Sequence, residues 1–433
     1  MNNVLMNLKQ LTFVIAAISI VLSSFGTAPA KSKASKKAVP VNVSDAVVRE
    51  WNEIAYTTIP PQPPFTANRW MAIVQVAVFE SVNAITEKYD PYLGTIIAPA
   101  GSSPEAAAIM AAHDVLVGLF PAQAAALGAR RNASLALIPP GQAKADGMAV
   151  GSAAAAAMLL NRTNDGSTPP LFHLPTNSNP YEWQVYTGCP AGGGAFKHWQ
   201  DLTPFAIDDA AQFRAQPPPA LRTRAYELAF NELQAVGDIN STQRPQDRTD
   251  VARLYAIANP PALWNAALLQ IAHTRSDEIT KTARTMAIMN MAVSDAGIAV
   301  FDSKYYYRTW RPITAIPRGN EDSNPWTAAG PFTPLIATPC FPAYPSAHGS
   351  LSSSAIMVLE RAYGRFGHSV TVQHPSVPGV VLNYSDLRSM IDDISDARVY
   401  GGIHFRFDQD AGEAQGDAIG NFVYDNLLRK RGR

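Results

Sequence analysis

Cysteine is almost missing from this chain. Cys189 and Cys340 are the two in 433 residues. No Cys/His spacing suggests a zinc site. The two thiols can form one disulfide if the chain is exported, or remain as buried free thiols. Charge is also sparse, at 16% of residues, and it is balanced, with Lys+Arg and Asp+Glu at 35 each. No basic excess points to nucleic acid, and no acidic excess points to a solvating tail. Any anion site must therefore be a local cluster. Beyond the first 30 residues no apolar run approaches the roughly 18 residues of a spanning helix. No convincing set of alternating strands is visible either.

The N-terminus has what the rest lacks. Lys9 precedes an apolar run over Leu11–Leu22, and Ala28-Pro29-Ala30 offers small residues for cleavage. This pattern reads as a secretory signal peptide over 1–30, followed by a basic linker over 31–42. The expected location is secreted or periplasmic, with no stable membrane span after cleavage.

Residues 43–433 read as an all-α domain, with N-terminal helices and covering loops over 43–236 and a second half over 245–433. Helical spacing or composition predicts helices over Val43–Tyr56, Ala67–Ile85, Ala106–Leu119, Ala122–Leu135 and Gln142–Leu160. Further helices are expected over Arg222–Ala235, Arg248–Ala258, Ala262–His273, Asp277–Tyr305, Ser346–Tyr363 and Ser385–Ile394, and from about His404 to Leu428. In Asp277–Tyr305 the apolar residues Met286, Met289, Val293, Ala296 and Val300 form a buried stripe. Antiparallel helical bundles are the expected architecture. Asn164–Pro219, rich in Pro, Gly and aromatics, reads as a long ordered loop over that body.

Three motifs carry chemistry. The first is Lys304 to Pro312, in which Lys304 and Arg311 are seven apart. That spacing places both near one face of a helix, where long side chains can converge on an oxyanion. The second is Phe341–Gly349, reading FPAYPSAHG. Here Ser346 can cap a helix whose first N–H groups attract an anion, and His348 is a candidate acid/base group. The third is Asp396–Asp408, in which Gly401-Gly402 permits close backbone approach and His404 lies four residues before Asp408. A carboxylate so placed fixes the imidazole tautomer and raises its basicity, which suits a metal ligand or nucleophile. Taken singly, these are a solvated helix end, an ordinary histidine and a helical ion pair. The order Lys-x6-Arg-Pro, Pro-Ser-x-His, Arg-x5-His-x3-Asp is what makes them specific.

That order resembles the shared signature of the vanadium-dependent haloperoxidases and the type 2 phosphatidic acid phosphatase / bacterial acid phosphatase superfamily. Phe341–Pro345, His404–Asp408, Asp295–Ile298 and Phe79–Ile85 resemble the haloperoxidase branch. The resemblance implies vanadate as cofactor. His404 would be its ligand, with Lys304, Arg311 and Arg398 neutralising its oxygens. Ser346 and the Ala347 N–H would add hydrogen bonds, and His348 would move peroxide protons. Asp408 would support His404, with Phe341 and Phe301 on the halide side. It further implies hydrogen peroxide, a halide and a small organic acceptor as partners. Two residues depart from the family pattern, Ala347 in place of Gly and Ala397 in place of Ser. The alternative within the superfamily is a secreted acid phosphatase working through a phosphohistidine at His404.

Overall fold

The computed structural model describes residues 43–432, apart from 62, 259 and 276. The expected signal peptide and basic linker lie outside the described residues. The helices are α1 (Ala46–Thr58), α2 (Pro64–Thr86), α3 (Pro104–Leu119), α4 (Ala124–Ala136), α5 (Gln142–Asn161), α6 (Arg224–Val236), α7 (Gln246–Ile257), α8 (Pro260–His273), α9 (Ile279–Tyr307), α10 (Pro312–Ala315) and α11 (Ala347–Tyr363). A hairpin of β1 (Phe366–Gln373) and β2 (Val381–Asp386) follows, then α12 (Leu387–Val399) and α13 (Arg406–Asn426). The all-α expectation holds for the body of the fold. Among the described residues, no helix is long and apolar enough to cross a membrane.

The molecule is assembled around α9. Every residue from Thr285 to Phe301 is buried, so this helix is covered on all faces and not along one stripe only. Its buried Asn290 and Asp295 side chains are satisfied within the protein. Asn290 and Asn265 exchange side-chain hydrogen bonds of 2.9 and 3.0 Å. The Asp295 carboxylate accepts from the Phe205, Ala206 and Ile207 N–H groups at 2.7–3.0 Å, which pins the long loop to the helix.

Helices α2, α11 and α13 pack on α9. Helices α11 and α13 approach one another along Gly412, Gly416 and Gly420. A Cβ on Gly416 would stand 2.1 Å from the Ser350 carbonyl oxygen, so only glycine allows this spacing. The close contact matters because α11 begins with the second motif and α13 begins with the third.

The hairpin is the clearest departure from expectation. Strands β1 and β2 pair antiparallel, with Val370 opposite Tyr384 and Val372 opposite Leu382. In β1 one face is buried through His368, Val370 and Val372 while the other faces solvent. The alternation is short, and next to long helical periodicities it reads as loop.

Residues 162–223 form the expected ordered loop, with Trp183 and Trp199 fully buried beneath it. Cys189 and Cys340 are joined in a disulfide, with Cα atoms 5.4 Å apart and 151 residues between them. This bond ties the long loop to the segment that carries Phe341.

Candidate active site

The first motif does not lie on one helix. Helix α9 ends at Tyr307, Arg308 takes a left-handed conformation (φ 49°), and Arg311 caps α10. The chain turns here because the covering loop binds it, Trp183 N–H donating to the Arg308 carbonyl and Trp310 N–H to that of Tyr181, each at 2.7 Å. Lys304 and Arg311 converge through this bend, not through helical spacing. Both are fully buried. The Lys304 ammonium spends its three donors on the carbonyls of Pro342, Ala343 and Pro345, at 2.9, 2.7 and 2.5 Å. It holds the approach to the second motif in place, and it does not line the cavity described below. Arg311 donates through Nε to the Phe341 carbonyl and through Nη1 to the Ile403 carbonyl and His404 Nε2, each at 2.9 Å. Its Nη2 is buried without a partner.

In the second motif, Ser346 is the cap of α11, its Oγ accepting from the Gly349 N–H at 3.2 Å. The first N–H groups of a helix have no intrahelical partner, so those of Ala347 and His348 remain for a ligand. Ala347 has ordinary helical backbone, since its φ is not among the positive values of this chain. Alanine in place of glycine therefore brings no backbone strain here, and the residue lines the cavity. Ser346 N–H donates to the Asp408 carbonyl at 2.7 Å and so locks the second motif to the third.

The third motif spans the gap between α12 and α13. Helix α12 runs further than Ser385–Ile394, and its last turn presents Arg398. Gly402 then adopts φ +80°, with the Gly237 carbonyl oxygen 2.3 Å from where a Cβ would be, which brings the chain back toward the site. His404 sits just before α13, not within it. Its Nδ1 is 2.9 Å from Asp408 Oδ2, which also accepts from the Phe405 N–H at 3.0 Å. Nδ1 therefore carries the ring proton, and Nε2 offers its lone pair. The predicted His404–Asp408 pair is thus formed.

Electrostatically the site is out of balance. Lys304, Arg311 and Arg398 are buried together, and among the described residues Asp408 is the carboxylate acting on Lys304 and Arg311, with none acting on Arg398. Burial, reinforced by Arg311, brings Arg398 down to about 9. Burial, then Arg398, Lys304 and Arg311, holds His348 well below the usual histidine range. Burial and the same cations do likewise for His404. Both imidazoles are neutral at pH 7. His348 Nε2 lies 3.4 Å from Arg398 Nη1. Arg398 Nε and Nη2 are buried with no partner. Buried guanidinium N–H groups left without acceptors are costly unless an anion completes them.

Of these groups, His348, Arg398 and His404 open onto a cavity of about 680 Å³, with Arg311 directly behind His404. Ala347, His348, Arg398 and His404 form its polar wall, and Phe341 belongs to the apolar wall. Phe301, expected on the halide side, stands one layer back and is fully buried, its ring 5.3 Å from that of Phe341. The rings that do line the apolar wall beside Phe341 are Phe65 and Phe196. Phe196 is held in a left-handed conformation (φ 61°), an uncommon state for an aromatic residue. Arg253 of α7 and Ser376 and Val377 of the hairpin turn also line the cavity.

Residues 284–432 match the family model of the VCPO second helical-bundle domain. The vanadium chloroperoxidase of Curvularia inaequalis is 29% identical over a match that covers 35% of this chain and 30% of that enzyme. The chain thus spans under a third of the length of that curated relative. Among solved structures, the first bacterial vanadium-dependent iodoperoxidase superposes with a TM-score of 0.74 at 24% identity, covering 92% of this chain and 100% of that one. A holo-type bacterial vanadium-dependent chloroperoxidase gives a TM-score of 0.70 at 18% identity, covering 89% and 98%. The described chain has the helical-bundle fold of the vanadium-dependent haloperoxidases. The family-model match falls within its second half, over residues 284–432.

Proposed function

We propose that this chain is a vanadium-dependent haloperoxidase, oxidising halide with hydrogen peroxide and halogenating organic acceptors. The observation that carries the reading is the set of buried guanidinium nitrogens without partners, Nη2 of Arg311 and Nε and Nη2 of Arg398, beside a His404 whose unprotonated Nε2 is met by Arg311 Nη1 alone. A multiply charged oxyanion with an open coordination position suits that donor set.

Vanadate would be held by Arg311, Arg398, the Ala347 and His348 N–H groups, Ser346 and His404, and when bound it supplies a Lewis-acid centre that activates peroxide toward halide without a change of oxidation state. The chain does the rest. Asp408 keeps the proton on His404 Nδ1, so Nε2 stays unprotonated, and a ligand there would take the place of the Arg311 Nη1 hydrogen bond. His348, neutral and facing the cavity, accepts a peroxide proton at Nε2 and returns it to the departing oxygen. Lys304 fixes the Pro342–Pro345 carbonyls, and through them the position of Ser346. Phe65, Phe196 and Phe341 keep water from the halide side.

The test is reconstitution of the purified chain with vanadate, followed by bromination and iodination of an activated phenol with peroxide. Halogenation that rises with added vanadate is expected. Hydrolysis of an aryl phosphate that vanadate only inhibits would replace this reading with the phosphatase. The Cys189–Cys340 disulfide supports an exported site of action. The exported protein is expected to begin at Lys31, which mass determination of its N-terminus checks.

A further inference from the structure

Resting on the haloperoxidase reading, we infer that the acceptor is an aromatic carboxylic acid, bound in the cavity with its carboxylate on Arg253 and halogenated there.

Helix α7 turns Arg253, Ala256 and Ile257 to the cavity, the i, i+3, i+4 face of its last turns. Arg253 is exposed, and among the described residues no carboxylate lies within ion-pair distance of it. Arg248, five residues earlier on the same helix, is clamped by Asp393 and Asp396 at 2.8 and 3.0 Å. The contrast sets Arg253 apart from Arg248, the other arginine of α7. Its planar fork matches a carboxylate in bidentate geometry.

The rest of the cavity suits the body of such a molecule. Phe65, Phe196 and Phe341 offer ring faces and edges, and about 680 Å³ is ample for a one- or two-ring compound. Halide oxidation alone needs none of this volume, nor a cation outside the oxyanion cage. A phosphate-bearing acceptor is disfavoured because its own oxyanion would compete for Arg311 and Arg398. A singly charged carboxylate leaves the cage to the cofactor.

The step balances as aromatic C–H plus halide, hydrogen peroxide and one proton, giving aromatic C–halogen and two waters. The halide loses two electrons to the peroxide. A carbon–halogen bond forms, and the ring proton leaves to water.

The test uses the vanadate-loaded chain with 4-hydroxyphenylacetate and its methyl ester in one vessel with bromide and peroxide. The readout is the ratio of brominated acid to brominated ester, compared with the ratio from reagent hypobromite. The acid is expected to be enriched roughly 10-fold over the reagent ratio, as one charge-assisted contact allows. The enrichment is expected to vanish in Arg253→Ala and to reverse in Arg253→Glu. Calorimetric binding of acid and ester to the loaded chain should show the same preference. An enzymatic ratio equal to that of hypobromite, with no binding preference, overturns the inference, because the oxidised halogen then reacts in bulk water. A drop in both products in Arg253→Ala with the ratio unchanged also overturns it, by assigning Arg253 to halide or peroxide entry. If neither compound is halogenated but the acid still binds better through Arg253, the acid site stands and the haloperoxidase reading falls.

Discussion

The two ends of α12 carry arginines in opposite states. Arg388, in the first turn, is bonded through Nε and Nη2 to both oxygens of Glu360 at 2.9 Å and through Nη1 to Asp417 at 2.8 and 2.9 Å. Those carboxylates hold it above the ordinary arginine value. Arg398, in the last turn, is more deeply buried, has no carboxylate partner among the described residues and keeps two nitrogens, Nε and Nη2, without acceptors. Burial and Arg311 push it down to about 9. One helix thus holds an arginine that completes the fold and another that the fold leaves incomplete. A buried cation without a counter-charge costs stability. Its persistence is explained by an anion that arrives later.

This contrast can be broken in several ways. The largest effect belongs to the group that makes the site a metal site. His404→Ala should reduce halogenation to background with an unchanged far-ultraviolet dichroism spectrum, and retained halogenation would remove His404 from the chemistry. Next, Arg398→Met should weaken vanadate binding by roughly 100-fold, about 3 kcal/mol. The vanadate-free chain should be at least as stable as wild type, read as Tm. Arg388→Met should do the reverse, losing about 1–2 kcal/mol of stability while vanadate affinity holds. If both variants lose stability alike, the two ends are not different in kind. Asp408→Asn, which disturbs the His404 tautomer, should cost about 10- to 100-fold in vanadate affinity.

A smaller and more specific effect concerns pH. The folded value of Arg398, about 9, lies well below the ordinary arginine value. Below about 9 both folded and unfolded chains are protonated, and the folded chain bears the full burial cost. Between the two values the unfolded chain binds more protons, so this group's contribution to stability rises with pH. Any Tm advantage of vanadate-free Arg398→Met over wild type should therefore shrink above pH 9. A difference that stays constant with pH would mean that Arg398 is not the strained cation.

Much of the site was legible because its residues are bound to backbone features that leave a mark in sequence. Ser346 and His348 stand at a helix start after a proline-rich run, and His404 and Asp408 are locked by the cap of α13. The bend at Arg308 was not legible, because it is imposed by Trp183 and Tyr181 from a loop more than a hundred residues away. The same holds for Lys304. Its position in a cationic motif suggests an anion ligand, yet its donors go to three carbonyls. The all-round burial of α9 was read as a stripe because its neighbours on the other faces are distant in sequence. The hairpin and the Phe65–Phe196 wall escaped for a related reason. Their surroundings come from tertiary contacts, and Phe196 owes its direction to an unusual backbone angle. The disulfide settled one alternative that composition had left open.

The most direct measurement of the central claim is a vanadate titration of the metal-free chain, followed by bound vanadium and by bromination rate together. One vanadate per chain should bind, with activity rising in step and with both signals lost in His404→Ala. Vanadate that binds with no bromination at any occupancy, or bromination that persists without bound vanadium, would contradict the account.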